Sequence, residues 1–203
     1  MKRMTFWDLS APFYDRVEKA NTAYEGMLGL IRELTPPEAS VFEAAAGTGA
    51  ISVFIADKAG NVLCTDTSDR MLKVARKKAA KHGAENIVFG TRSIFDTGEP
   101  DGSYDVVIAS QILHLIDEPQ KAAEELKRIS NGSVITSVAL LKGLKGFFIR
   151  PSVGLWRVLG FDPKREFDED GFREFLCEIG LPPSRFEVIK GNMPIAVAVW
   201  KKP

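Results

Sequence analysis

Ten residues constrain the fold more than any other stretch: Val41-Phe42-Glu43-Ala44-Ala45-Ala46-Gly47-Thr48-Gly49-Ala50. A β-branched and aromatic run, the signature of a strand, leads into one acid and then into a turn of alanine and glycine. The apolar run 50–59 that follows reads as a helix closed by Gly60. A strand, a small-residue turn and a helix form the unit from which parallel α/β sheets are wound. A turn without bulky side chains also lets a ligand reach backbone N–H groups. The next apolar run, 61–66, again ends on an acid. Asp66 lies seventeen residues after Gly49, where a strand-end carboxylate accepts the hydroxyls of a ribose. The pattern points to a ligand that carries an adenosine.

Two glycine patterns compete for the turn. The dinucleotide pattern Gly-x-Gly-x-x-Gly needs a third glycine for close packing of helix on strand, and its register puts Ser52 there. The pattern acid-x-Gly-x-Gly-x-Gly is met as Glu43-x-Ala45-x-Gly47-x-Gly49, with alanine at the first glycine. This second pattern resembles motif I of the class I S-adenosylmethionine-dependent methyltransferases. Asp101-Gly102-Ser103, a turn, followed by the apolar strand 104–109, is similar to that family's Asp-Gly-Ser-Phe-Asp-Val-Val. The stretch from Trp7 to Asp15 resembles the Tyr-Asp-x-x-Ala-x-x-Tyr-Asp opening of its small-molecule members, with Trp7 in place of the first tyrosine.

The resemblance runs over residues 7–202 and implies an α/β, Rossmann-like seven-stranded sheet. It is expected to be mostly parallel with one antiparallel strand, in the order 3-2-1-4-5-7-6, with helices on both faces. It implies S-adenosylmethionine as cofactor. Glu43 would hold the turn or the methionine amino group, and Ala45, Gly47, Thr48 and Gly49 would admit the amino acid and ribose. Asp66 would take the ribose hydroxyls, with Thr67 beside it and Met71 along the adenine. Ser93 and Ile94 stand where the family has an acid and a small apolar residue against adenine, and Ser110 ends the fourth strand over the site. Tyr14 and Trp7 would shield the methyl donor, or simply pack a helix on the sheet. His114 matches the histidine of the family's Leu-His-His-Leu segment, with a buried, backbone-satisfied histidine as the alternative. If the acceptor is a phenol, quinol or amine, His114 or Tyr14 would remove or relay its proton. The opening and the Leu-His segment look like the ubiquinone and menaquinone biosynthesis methyltransferases, implying a small, hydrophobic acceptor, quinol-like or lipid-like.

Composition narrows the partners. Lys plus Arg and Asp plus Glu are 27 each, so no overall basic field attracts nucleic acid. The cluster Arg76, Lys77, Lys78 and Lys81 reads as the basic end of a helix opposing its dipole. Two cysteines, Cys64 and Cys177, fit a reducing compartment, and no run reaches the roughly 18 apolar residues of a spanning helix. A soluble, cytoplasmic protein is expected, with neither a metal constellation nor a Ser-His-Asp constellation evident. The 203 residues suit one domain with an N-terminal helical cap over 1–36. The apolar connection 141–167 is too long and too punctuated by Gly and Pro for one helix, and reads as an inserted lid. Its aromatic and basic residues suit closure over a hydrophobic substrate, contact with a membrane surface, or a homodimer interface. Two other readings stay open: an S-adenosylmethionine-binding regulatory protein, and a NAD-binding oxidoreductase that lacks the third glycine.

Overall fold

In the computed structural model, which describes residues 6–142 and 163–203, the apolar runs become one seven-stranded sheet in the order β3-β2-β1-β4-β5-β7-β6. The strands are β1 (Ser40–Glu43), β2 (Asn61–Asp66), β3 (Ile87–Thr91), β4 (Tyr104–Ser110), β5 (Ser130–Ala139), β6 (Arg185–Ile189) and β7 (Ile195–Lys201). The pairs β1–β2, β1–β4, β2–β3 and β4–β5 are parallel, while β7 runs antiparallel to both β5 and β6. The expected topology is the observed one.

The helices are α1 (Phe6–Ser10), α2 (Tyr14–Glu18), α3 (Tyr24–Leu34), α4 (Ala50–Ile55), α5 (Asp69–His82), α6 (Pro119–Ile129) and α7 (Glu169–Glu178). They cover both faces, which is why the middles of the central strands, such as Val41–Phe42 and Val106–Ala109, run apolar without alternation. Successive residues serve opposite layers: Val106 and Ile108 pack with α3, α4 and α5, while Val107 and Ala109 pack with α6 and α7. The second layer is anchored by Phe172, fully buried among the rings of Phe167, Phe175 and Phe186.

Local chemistry sets the boundaries. Pro12 divides the N-terminal apolar stretch into α1 and α2, as its ring requires. Ser68 caps α5 by accepting from the Met71 N–H at 3.2 Å, and Gly83 ends it in the left-handed conformation. Helix α4 is shorter than the expected 50–59. The carbonyl of Lys58 accepts from the Glu38 N–H at 2.9 Å, which turns residues 56–60 toward β2. Strand β3 begins at Ile87 and not at Asn86. The Asn86 side chain instead caps the end of the α4 turn, donating to the Ala56 and Ala59 carbonyls at 2.8 and 2.9 Å. The β6–β7 turn is tied to the start of α3, with the Thr22 N–H donating to Asn192 Oδ1 at 2.9 Å. That bond holds the N-terminal helices against the sheet edge.

Phe172→Ala should lower unfolding stability by about 3–5 kcal/mol, the cost of emptying a packed aromatic site. Val88→Ala, at a 64% exposed position on the edge strand β3, should stay within about 0.5 kcal/mol. Urea denaturation of both variants checks the contrast, and equal midpoints would show that the α7 layer is not a packed core.

Candidate functional site

The site is built on the turn between β1 and α4. All three positions of the glycine pattern have positive φ: Ala45 at 50°, Gly47 at 55° and Gly49 at 68°. An alanine in that region costs about 1–2 kcal/mol, so Ala45 is held there by its surroundings. The two glycines serve different ends. A Cβ on Gly49 would lie 2.8 Å from the Ala75 Cβ, so this glycine lets α5 close on the turn. A Cβ on Gly47 would meet nothing nearer than the Met71 sulfur at 4.0 Å, so the space beside Gly47 is open.

Glu43 is buried beneath the turn, where its Oε2 accepts from both the backbone N–H and the hydroxyl of Ser52. Of the two roles the resemblance allows for this acid, the structure displays the turn-holding one. Ser52 is the residue that fails the dinucleotide pattern, and its hydroxyl does here what no glycine could. Burial pushes the Glu43 carboxyl up to about 7 against the pull of the Ser52 bonds. Asp66 closes the turn from β2: its Oδ2 accepts from the Gly47 N–H and its Oδ1 from the Ser68 N–H, both at 2.8 Å. Burial raises its pKa too, and Asp8 on α1 adds to the rise.

Helices α1 and α2 lie across this turn. Asp8 accepts from the Ser68 hydroxyl at 2.7 Å. Asp15 accepts from the Thr48 hydroxyl and from Lys78 Nζ, the latter at 2.8 Å. Tyr14 and Glu18, one helical turn apart on α2, face the turn with Tyr14 bonded to Glu18. Trp7 packs edge-on to Tyr14 with ring centroids 6.2 Å apart.

Between α2 and the turn is a cavity of about 50 Å³, lined by Tyr14, Glu18 and Tyr24 on one side and by Glu43, Gly47 and Ser110 among the residues opposite. It is smaller than the roughly 300–1,000 Å³ of small-molecule pockets, with Tyr14 and Glu18 of α2 among its walls. Among the described residues, its only charged lining groups are the two carboxylates. Burial drives Glu18 up to about 7, with Asp15 adding to the rise and the Tyr14 bond opposing it; burial and the charge of Glu18 push the Tyr14 phenol far above its usual value.

This donor set fits the methionine end of S-adenosylmethionine, which carries two positive centres. Glu18 and Glu43 would face the ammonium and sulfonium, the open face of Gly47 would admit the amino acid, and Asp66 would take the ribose hydroxyls on its free lone pairs.

The structure therefore brings Tyr14, Glu43, Ala45, Gly47, Thr48 and Ser110 to one cavity, with Asp66, Met71 and Gly49 directly behind the turn. Thr67 is exposed at the end of β2. Ser93 is half-buried beyond β3, where its hydroxyl accepts from the Phe95 N–H at 3.2 Å, and Ile94 is buried in the core beside it. His114 does not line the cavity. It is 7% exposed, and its Nδ1 has no hydrogen-bond partner among the described residues; burial lowers its pKa to about 4. Its carbonyl accepts from the Arg165 N–H at 3.2 Å, and Lys142 pairs with Asp168 at 3.0 Å. Both ends of the 141–167 connection are thus anchored near the C-terminal edge of the sheet, and the remainder, 143–162, lies outside the described residues.

Four residues of the site escape a reading of the sequence for motifs. Glu18 could have been found from its helical spacing to Tyr14. Asp15 closes the N-terminal opening and Ser52 breaks the dinucleotide pattern, but neither pattern gives the residue a role in the site. Gln111 follows β4 with a φ of 55°, held there as its N–H donates to the Ser137 carbonyl at 2.9 Å and its side-chain carbonyl accepts from the Ala139 N–H at 3.0 Å.

Comparison with known proteins bears on this arrangement. Residues 41–131 match the methyltransferase domain family. The chain is 34% identical over 89 residues to a demethylmenaquinone methyltransferase of Clavibacter sepedonicus, a match covering 44% of this chain and 36% of the relative. It thus spans little more than a third of that curated relative. Among solved structures, the complex between the Haloferax volcanii Trm112 methyltransferase activator and the putative methyltransferase matches with a TM-score of 0.77 at 16% identity, covering 99% of this chain and 100% of that one. Magnesium protoporphyrin IX methyltransferase of Synechocystis, with bound SAH, matches with a TM-score of 0.66 at 20% identity, covering 88% and 81%. By its sheet order and its acid-to-glycine turn, the chain has the fold of the class I S-adenosylmethionine-dependent methyltransferases, and its residues 41–131 match the methyltransferase domain family.

Proposed function

We propose that this protein transfers a methyl group from S-adenosylmethionine to a small, apolar acceptor, quinol-like or lipid-like. The observation that carries the reading is the cavity at the β1–α4 turn, whose only charges are the carboxylates of Glu18 and Glu43. The demethylmenaquinone methyltransferase relative supports the quinol-like class. When bound, the cofactor supplies a methyl group already activated on a sulfonium, so the chain's task is to position and desolvate.

Tyr14, Trp7 and Tyr24 cover the reacting end and exclude water. The α1–α2 cover swings aside to admit ligand, exchanging contacts such as Asp8 with Ser68 and Asp15 with Thr48 and Lys78 for contacts with the cofactor. For an acceptor that loses a proton, Tyr14 relays it to Glu18, whose pKa near 7 suits it to hold a proton transiently at neutral pH. His114, with a pKa near 4, is neutral at pH 7 and is the poorer base. Its unpaired nitrogen orients an acceptor at the edge of β4 by hydrogen bonding. The reaction test is incubation with methyl-labelled cofactor and a cell lipid extract, where label in the lipid fraction supports transfer. Binding without transfer would favour a regulatory protein.

Asp66→Ala should weaken cofactor binding by about 1.5–3 kcal/mol, the scale of a hydrogen bond to a charged group. Calorimetry on the folded variant decides it, because an unchanged dissociation constant would remove Asp66 from the ligand.

The raised carboxyls predict a pH dependence of known sign. Unfolded glutamates titrate near pH ~4.3, and the folded values of Glu18 and Glu43 are about 7. Between these limits the folded chain holds protons that the unfolded chain has released, so this contribution to stability falls as pH rises and is lost by about pH 7. A cationic ligand favours the ionised carboxylates, so its affinity should rise over the same window, by up to about tenfold per pH unit for each group. Thermal melts at pH 5.5, 6.5 and 7.5 with and without cofactor should show a ligand-induced increment that grows with pH. The growth should disappear in the Glu18→Gln, Glu43→Gln double variant. An increment independent of pH in the wild type would place both acids away from the ligand.

A further inference from the structure

Next to the cofactor cavity, and opening outward between α2, α3, α4 and α5, is a groove of about 580 Å³. This is within the size range of small-molecule sites. Its floor is apolar, made by Leu28, Val53, Val74 and Phe54, the last 43% exposed. Its rim is basic, with Lys77, Lys78, Lys81 and His82 from α5 and Lys19 from beyond α2. The one acid in the lining, Asp15, is engaged by Lys78 at 2.8 Å. Lys77 and Lys81 have no ion-pair partner among the described residues.

Opposition to the helix dipole explains basic residues at the end of α5 but does not choose a face, since the dipole acts along the axis. Here a face is chosen. Val74, Lys77, Lys78 and Lys81 follow the i, i+3, i+4, i+7 stripe that a helix normally buries, and that stripe borders the groove. The carbonyl end of α5 contributes about half a negative charge, which three ammonium groups outweigh. An apolar floor beneath unpaired ammonium groups is complementary to a molecule with an acidic head and a hydrocarbon body. A polar polyanion would leave the floor unfilled, and a neutral apolar ligand would leave the lysines without counter-charge.

We propose that this groove binds a single-chain anionic amphiphile, an alkyl phosphate or fatty acid taken from solution. The head lies on Lys77 and Lys81, and the chain lies over Val53, Phe54 and Val74. The site is separate from the methyl-transfer reading and stands or falls without it.

The test is calorimetry with decyl phosphate below its micelle concentration, at fixed moderate salt, against inorganic phosphate and decyl maltoside as head-only and chain-only controls. Decyl phosphate should bind one-to-one, at least tenfold more tightly than either control. Lys77→Gln with Lys81→Gln should weaken it at least tenfold and Phe54→Ser at least fivefold. These positions are outside the cofactor turn, so the melting temperature of the lysine variant and cofactor titrations of both variants should be unchanged. Inorganic phosphate binding as tightly would reduce the groove to a counter-ion patch. Equal binding by decyl maltoside, or wild-type affinity in the variants, would overturn the assignment. Association only with phosphatidylglycerol vesicles, and not with the monomer, would replace it with a membrane-docking face.

Discussion

The carboxylate of Glu43 is the point on which the site is assembled. It leaves the end of β1 pointing beneath the turn, and Ser52, in the first turn of α4, donates to it twice. One buried group therefore fixes the distance between strand and helix, and with it the path of residues 44–49. A hydrogen bond to a charged, buried acceptor is among the stronger interactions a folded chain contains. An apolar pair here would hold strand and helix together but leave the turn free to choose among conformations. The left-handed angles at Ala45, Gly47 and Gly49 are sustained because both ends of the turn are pinned, at Glu43 to α4 and at Asp66 to the Gly47 N–H.

The same carboxylates that build the turn make it electrostatically incomplete. Glu43, Glu18 and Asp66 are all raised by burial, and Lys78, whose charge acts on Glu43, is held away from the cavity by Asp15 and Thr48. Rigid acids gathered without enough counter-charge disfavour the folded chain alone, and they favour any ligand that brings positive charge. Functional sites are where such unrelieved electrostatics are found, because the relief is then available for binding. The fold tolerates the arrangement because the sheet beneath, packed on both faces, supplies stability elsewhere.

The fold was legible because its signals are local and repeated. The strands read at 40–44, 61–66 and 104–109 are short apolar runs next to turn residues, and the cap at Ser68 and the stop at Gly83 need only near neighbours. The topology came from resemblance, since no local rule places β7 between β5 and β6. Part of the site was equally visible: Glu43, Gly47 and Asp66 stand at fixed offsets because backbone geometry demands it. What could not be read depends on packing between distant segments. The meeting of Ser52 with Glu43 follows from the rotation of α4 about its axis, and Asp15 reaches Thr48 and Lys78 across 33 and 63 residues. His114 shows the limit in the other direction. Its motif placed it at the sheet edge, where it is, but burial decides its basicity and its absence from the Tyr14 cavity.

Net charge misled in an instructive way. Equal numbers of acids and bases sum to zero and suggest a surface without a preferred partner. In three dimensions the two signs are sorted: carboxylates alone line the cavity at the turn, while the adjoining groove carries five basic residues and one acid. The boundary between them is the Asp15–Lys78 pair, whose lysine also bonds Thr48 on the turn itself. Separation of charge over so short a distance produces a field that the total cannot report, because an ion's interaction falls off with distance and a near group outweighs many far ones. Sorting of this kind gives each concavity its own selectivity within one small domain. A cationic ligand end would be drawn to the turn and repelled by the groove, and an anionic head would be directed the opposite way.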